Sequence, residues 1–256
     1  MRRWSLLAAS GILVAGCGKD LTNGPAAGAA GADGGIDAPA GGDAGAAQED
    51  AGAMRECARR SECPGTVLLD ASFDRKTGVF ELLGDATIDE AAGELRATDG
   101  VAAATLGLAG GARVCLEACM RVSYAPEGFG TATDDFAGLL AVDVRPAKSP
   151  LESVAYVDLG AARVPYFYAM VNDNADTGSK SVPGLPLGTW THVRIELARG
   201  SDATFSLYVD GTLVGSTSLD APSAEPSSVV VRAGVDPNGA HPTIDARFAG
   251  LRLTSP

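Results

Sequence analysis

The sequence predicts an all-β sandwich that begins near residue 67. Two observations support this prediction: short runs of residues alternate between apolar and polar, and Gly, Pro, Asn and Asp separate the runs. Such alternation at short spacing is typical of half-buried strands in sandwiches. No segment shows a convincing amphipathic helix. Strands are predicted near residues 67–74, 94–98, 101–107, 112–124, 136–144, 153–159, 163–171, 191–198, 203–209, 212–217, 228–234 and 244–253.

The clearest local signal is a hairpin centred on Asp210-Gly211. Residues alternate between apolar and polar on both sides of this pair. A two-residue turn of type I′ needs positive φ at both positions, which Asp and Gly tolerate. With this turn, Leu207 is expected to face Val214 across the pair, and Tyr208 to face Leu213 on the opposite side.

The first seventeen residues predict secretion and lipid attachment. Two arginines are followed by an apolar run over residues 6–14 that is too short to span a bilayer, and by the letters VAGC at residues 14–17. This order resembles a bacterial lipoprotein signal, which implies cleavage before Cys17 and lipidation of that residue. We therefore expect the protein to be held in the bacterial cell envelope by lipid on Cys17. Gly18 in place of an aspartate favours the outer membrane over the inner.

Composition excludes some partners and suggests a division of the chain. The net charge of −12 argues against nucleic acid, because binding it requires clustered Lys and Arg. Residues 17–53 consist mainly of Gly, Ala, Asp and Pro, so they are expected to form a flexible tether. The predicted order is a signal peptide over 1–16, the disordered tether over 17–53, a Cys-containing lead-in over 54–65 and the sandwich over 66–256.

Four cysteines follow Cys17, and an even number in an exported chain favours two disulfides. Cys115 and Cys119 share the outer face of one predicted strand, about 13 Å apart, whereas a disulfide needs Cα atoms within about 7 Å. We therefore favour two bridges from Cys57 and Cys63 to this pair, with their order open. Two local loops, 57–63 and 115–119, are the alternative. A metal site is the third interpretation, although the spacing is not that of a zinc finger.

Three segments carry a family resemblance. The letters GTWTHVRIEL at 188–197, LYVDGTLVG at 207–215 and the closing strand over 244–253 resemble laminin-G-like domains of the concanavalin A-like lectin/glucanase superfamily. The resemblance implies a jelly-roll β-sandwich of two antiparallel sheets over residues 66–254. It does not imply one function, because this fold hosts lectins, hydrolases, adhesion modules and spacers.

Catalysis is not predicted. Enzymes related to this fold often carry E-x-D-x-x-E or a similar pair of acids on a strand, and no Glu from residue 56 onward begins E-x-D. The chain has two histidines, His192 and His241, and we interpret His192 as a structural residue of a sheet. We therefore expect no catalytic residues.

Aromatic residues out of phase with the core suggest a ligand platform. Aromatic rings stack on sugar faces and carry a polar tip. The alternative interpretation is ordinary aromatic residues that are covered by loops or lie at sheet edges. The candidate platform residues are Trp190, His192, Arg194, Tyr208, Tyr156, Tyr166 and Tyr168.

Calcium is the one cofactor that the sequence suggests. Asn172, Asn174 and Asp176 place oxygen ligands in one loop, but Pro183 stands where an EF-hand loop ends in Glu. An Asx-rich turn is the favoured interpretation.

The sequence therefore predicts a lipid-anchored binding module for a glycan or another envelope protein. The alternatives are a structural envelope lipoprotein without a dedicated ligand, and a polysaccharide-acting enzyme with an unrecognised site.

Overall fold

The computed structural model describes residues 43–75, 78–108, 113–124, 136–146, 153–160, 165–171, 180–181, 185–198, 203–219, 226–238 and 243–255. These ranges contain one helix, α1 (Asp43–Arg59), and fifteen strands. The strands are β1 (Thr66–Ala71), β2 (Glu81–Gly84), β3 (Thr87–Asp89), β4 (Glu94–Ala97), β5 (Gly100–Gly107), β6 (Arg113–Tyr124), β7 (Phe136–Pro146), β8 (Ser153–Gly160), β9 (Pro165–Val171), β10 (Lys180–Ser181), β11 (Thr191–Ala198), β12 (Ala203–Val209), β13 (Thr212–Leu219), β14 (Pro226–Asn238) and β15 (Ile244–Ser255).

The strands form two antiparallel sheets, which confirms the predicted sandwich. The eight-stranded sheet has the order β13-β12-β11-β6-β15-β4-β3, and β1 also pairs with β15. The seven-stranded sheet has the order β10-β9-β8-β7-β14-β5-β2. Runs of consecutive strands, β11 to β13 and β7 to β10, lie beside strands that are distant in sequence: β6 pairs with β11 and β15, and β14 pairs with β5 and β7. Each sheet is therefore assembled from both halves of the chain, as in a jelly roll.

One hydrophobic core lies between the two sheets. Leu116, Ile195 and Phe248 of the eight-stranded sheet are fully buried there, as are Val142 and Val231 of the seven-stranded sheet. Burying each such side chain stabilises the fold by about 1.5–3 kcal/mol. Because side chains alternate along a strand, the residues between these core positions lie on the two outer faces of the sandwich.

All twelve predicted strands are present, with ends that differ by a few residues. Strand β1 ends at Ala71, three residues before the predicted end, and Phe73 has a φ of 58° that does not continue a strand. Strands β2, β3 and β10 were not predicted. Each has only two to four residues, which is too short for alternation to be recognised.

The predicted hairpin is present, with one difference in register. Asp210 has a φ of 48° and Gly211 a φ of 81°, as a type I′ turn requires. Tyr208 pairs with Leu213 as predicted. Leu207 pairs with Gly215 rather than Val214, because the register shifts between residues 207 and 208.

Helix α1 corrects the prediction for the N-terminal part. It covers residues 43–53, which were expected to be unstructured tether, and the first part of the lead-in. Few apolar residues mark its buried side, so its stability comes from tertiary contacts that a local pattern does not show. Met54 and Cys57 pack against Cys119 and Ala249 of the eight-stranded sheet. Within the described ranges, α1 is too short and too polar to cross a membrane.

The signal peptide, Cys17 and the tether up to residue 42 lie outside the described residues. The boundaries of the predicted segments therefore stay predictions.

Candidate functional site

Two disulfides join the N-terminal segment to β6, the central strand of the eight-stranded sheet. Cys57 bonds Cys119 and Cys63 bonds Cys115, each with Cα atoms 5.6 Å apart. This confirms the favoured bridges from the lead-in to the strand and decides their order. The alternatives of two local loops or a metal site are wrong. Both strand cysteines project from the outer face of β6, where the lead-in crosses over them.

We call residues 50–64 the stapled segment. Besides its disulfides, it contacts the outer face of the eight-stranded sheet through polar groups of three strand residues and of Asp210 in the turn between β12 and β13. These contacts join Arg121 Nη1 to Asp50 Oδ2 at 2.6 Å, Arg60 Nη1 to Asp210 Oδ1 at 2.9 Å, Arg194 Nη1 to the Glu62 carbonyl oxygen at 3.3 Å and Thr254 Oγ1 to the Pro64 carbonyl oxygen at 2.7 Å. The segment is therefore a cover over this face.

Four of the predicted platform residues lie under or beside this cover. His192 is 2% exposed, and Trp190 packs against the buried cluster of Cys57, Cys119 and Ala249. The Arg194 guanidinium stacks 3.8 Å from the ring centroid of Tyr208, which leaves Tyr208 half-buried. These four residues share one face, as predicted, but that face is not an open platform.

The other three candidates belong to the opposite sheet. Tyr156 lies on β8, and Tyr166 and Tyr168 lie on β9, with Tyr156 and Tyr168 as register partners. The seven residues therefore do not form one surface. The sequence pattern shows only that a residue is out of phase with the core, and each sheet of a sandwich has its own outer face.

Glu117 and His192 form a buried polar pair beneath the stapled segment. Glu117 is 3% exposed, and its Oε2 accepts hydrogen bonds from the backbone N–H of Glu62 at 2.8 Å and of Cys63 at 3.2 Å. His192 Nε2 lies 3.5 Å from the same oxygen, and Arg252 Nη1 lies 3.6 Å from Oε1.

The pKa of Glu117 is lowered. Burial acts to raise it, but the interaction with His192 and the two backbone hydrogen bonds together outweigh that effect. Glu117 is not among the site residues predicted from the sequence. The available signal was a charged residue midway between two cysteines on an outer strand face.

The outer face of the seven-stranded sheet carries a second buried charge. Asp143 lies between Val142 and Val144, which face the core, and is itself 1% exposed. Its Oδ2 accepts a hydrogen bond of 2.6 Å from Arg145 Nε, while its Oδ1 has no hydrogen-bond partner. A buried carboxylate oxygen without a donor is unusual in a folded protein.

Register brings further polar and aromatic positions next to Asp143. Arg232 on β14 pairs with Ala141, Ala141 pairs with Tyr156, and Tyr156 pairs with Tyr168, so these positions form one row across four strands. Asp236 lies further along β14, after Arg232. Burial raises its pKa, the charge of Asp99 adds to this effect and the charge of Arg232 opposes it.

The calcium hypothesis is not tested by the structure. Asn172, Asn174 and Asp176 lie outside the described residues. Among the residues that are described, no group of three or more His, Cys, Asp or Glu is placed to hold a metal ion.

Comparison with known proteins agrees with this architecture. Residues 146–255 match a laminin-G-type family model described as the concanavalin A-like lectin/glucanases superfamily. A search of curated protein sequences finds no match. The chain has a concanavalin A-like fold, and its structural neighbours include both lectins and glycosidases.

Three solved structures illustrate the range of these neighbours. A β-1,3-1,4-glucanase (lichenase) from a mouse hindgut metagenome is 10% identical, with a TM-score of 0.50, and the match covers 73% of this chain and 99% of that one. A legume lectin-like domain from Entamoeba histolytica is 8% identical, with a TM-score of 0.47 and coverages of 76% and 100%. The κ-carrageenase of Pseudoalteromonas carrageenovora is 13% identical, with a TM-score of 0.45 and coverages of 76% and 97%. At such identities the likeness concerns the fold alone.

Proposed function

We propose that this chain is a lipid-anchored protein of the bacterial cell envelope whose sandwich binds a glycan on the outer face of the seven-stranded sheet. The observation that carries the proposal is Asp143, a buried carboxylate on this face with one unpartnered oxygen. Asp143 is only 1% exposed, so a sugar hydroxyl would have to displace the groups that cover this oxygen before donating the hydrogen bond that it lacks.

Neighbouring groups suit the same ligand. Arg145 and Arg232 can donate hydrogen bonds to hydroxyl or ring oxygens, and tyrosine rings stack on sugar faces. The positions of Tyr156 and Tyr168 continue the row that starts at Arg232. The opposite face is a poorer candidate, because the stapled segment covers it through two disulfides.

Binding is favoured over catalysis by the residues beside Asp143. Most glycosidases use two carboxyl groups, about 5–5.5 Å apart in retaining and about 6.5–9.5 Å apart in inverting enzymes. On β7 the neighbours of Asp143 on the same face are Ala141 and Arg145. An enzyme acting on polysaccharide is the second candidate, supported by the shared fold of the mouse hindgut lichenase.

The lipid anchor is proposed because residues 1–17 resemble a bacterial lipoprotein signal, and Gly18 favours attachment to the outer membrane over the inner.

The test is a glycan array probed with the full chain, with calcium and again with chelator. We expect saturable binding to at least one glycan. Asp143→Asn and Tyr156→Ala should weaken that binding by about ten-fold or more, since each removes a contact with the sugar. Tyr208→Ala is the matched control, because this tyrosine lies on the other sheet and its removal should leave the affinity unchanged.

Other results of these experiments would contradict the proposed site or support one of the alternative functions. Loss of binding in Tyr208→Ala, with Asp143→Asn unaffected, would contradict the proposed face. Release of reducing ends from a bound glycan would establish the enzyme. No binding on the array, followed by capture of a specific envelope protein, would replace the glycan with a protein partner. Binding that is lost with chelator would support the calcium hypothesis for Asn172, Asn174 and Asp176.

A further inference from the structure

Strand β2 forms one edge of the seven-stranded sheet and carries a concentration of exposed apolar side chains. It pairs with β5 on one side and, within the described ranges, with no strand on the other. Five large apolar side chains are exposed in the described part of the chain, and three of them lie between residues 79 and 83. They are Val79 at 45%, Leu82 at 43% and Leu83 at 42%. Folded proteins usually protect a sheet edge with Lys, Pro or a covering segment, so an apolar edge is a surface suited to strand pairing.

Backbone groups in the middle of β2 are available for such pairing. The Leu83 carbonyl oxygen points toward β5, because a Cβ built on Gly100 of that strand would lie 2.3 Å from it. Successive residues of an antiparallel strand direct their N–H and C=O groups alternately to its two sides. The N–H and C=O of Leu82 therefore point away from β5, toward the open edge. All four residues of β2 are exposed, so a partner strand can approach this edge.

Two-fold symmetry restricts which residues of two copies of β2 can face each other. Residues directly opposite in an antiparallel pair share a face of the sheet, so the axis must pass between one residue and its own copy. An axis at Glu81 would oppose two glutamates, and an axis at Leu83 would oppose Glu81 to Asp85, both of which are unfavourable. An axis at Leu82 opposes Glu81 to Leu83, so no like charges meet. In this arrangement the two Leu82 residues also exchange both of their backbone hydrogen bonds.

We propose that β2 is a self-association edge, at which two copies of this chain pair antiparallel with Leu82 on the two-fold axis. The two seven-stranded sheets then form one continuous sheet, and the outer faces of both copies point to the same side. The pairing needs no ligand, so it does not depend on the proposed glycan site. Stable interfaces bury about 800 Å² on each partner, and so short a strand provides only part of this area. The dimer should therefore be weak and reversible.

The first test is cysteine cross-linking of the full chain under mild oxidation, analysed by non-reducing electrophoresis. The Cα atoms of a hydrogen-bonded pair lie about 5.5 Å apart, within the roughly 4.4–6.8 Å that a disulfide spans. Leu82→Cys should therefore form a covalent dimer. Leu83→Cys is the matched control, because it is almost equally exposed but meets its own copy only across the diagonal, about 7–8 Å away. It should give little or no covalent dimer.

The second test is sedimentation velocity of the full chain in mild detergent over a range of protein concentrations. The unchanged protein should show a monomer–dimer equilibrium. Leu82→Lys removes apolar contact and places two like charges at the axis, so it should weaken dimerisation by about ten-fold or more. Leu213→Lys, at an exposed leucine on the edge strand β13 of the other sheet, is the matched control and should leave the equilibrium unchanged.

A monomer at every concentration, with no cross-link in Leu82→Cys, would overturn the proposal. A dimer that Leu82→Lys leaves intact would do the same, as would a dimer that is lost in Leu213→Lys. Cross-linking of Leu83→Cys in preference to Leu82→Cys would show that the axis does not lie at Leu82.

Discussion

The two disulfides differ from an ordinary pair of cross-links because one is nested inside the other. Cys57–Cys119 spans 62 residues and encloses Cys63–Cys115, which spans 52. In the chain-entropy account, the first bridge to form closes a long loop and contributes about 4 kcal/mol. The separations differ by only ten residues, so the second bridge closes a ring of about that size and contributes about 2.7 kcal/mol.

This arrangement predicts a specific pattern of destabilisation. Replacing either disulfide with two alanines should lower the free energy of unfolding by about 3 kcal/mol, because only the small ring is lost. Replacing both should lower it by about 7 kcal/mol, more than the sum of the two single losses. In a domain of this size, each single loss corresponds to a fall in Tm of about 6–12 °C.

Urea unfolding followed by far-UV circular dichroism measures these differences. Ser61→Ala, at an exposed position of the same segment, is the control and should change the free energy by less than about 0.5 kcal/mol. Strictly additive losses would refute the nested-loop reasoning. So would one bridge that contributes 4 kcal/mol or more while the other contributes almost nothing.

Three further predictions concern single residues. Glu117 has a lowered pKa, so it stabilises the fold above its ordinary pKa of 4.5, and this contribution is lost as the pH falls through the lower folded value. Between about pH 5 and about pH 3, the free energy of unfolding should therefore decline less in Glu117→Gln than in the unchanged protein. An equal decline in both proteins would contradict the lowered pKa of Glu117. Gly211→Ala should cost about 1–2 kcal/mol in urea unfolding, because an alanine is strained at a φ of 81°, and unchanged stability would speak against the type I′ turn. Cys17→Ser should move the protein from the membrane to the soluble fraction and remove the mass of its acyl chains, whereas a membrane-bound variant of unchanged modification would disprove the lipid anchor.

The strands were predictable because their signal is local. Along β11, burial alternates between the core residues Val193, Ile195 and Leu197 and the outer residues between them. A period of two residues is visible in the sequence itself, and it needs no knowledge of the partner strand. The same alternation placed Cys115 and Cys119 on the outer face of β6, which was sufficient to favour bridges to Cys57 and Cys63.

The helix and the covered face were not predictable in this way. Residues of α1 such as Met54 and Cys57 contact the sheet. Their contacts join residues more than fifty positions apart, so no local period marks them. The out-of-phase positions of Trp190 and His192 were recognised, but the phase of a strand does not show whether its outer face meets solvent or another segment.

The sequence by itself determined the all-β class, the positions of the strands, the type I′ turn and the side of β6 from which its cysteines project, because each depends on the chemistry of neighbouring residues. The tertiary structure decided the order of the disulfides, the cover over Glu117 and His192, and the separation of the candidate aromatics onto two sheets. These features depend on which distant strands become neighbours and on where a segment from outside the sandwich packs. Such choices are set by the burial of the whole core rather than by any single run of residues.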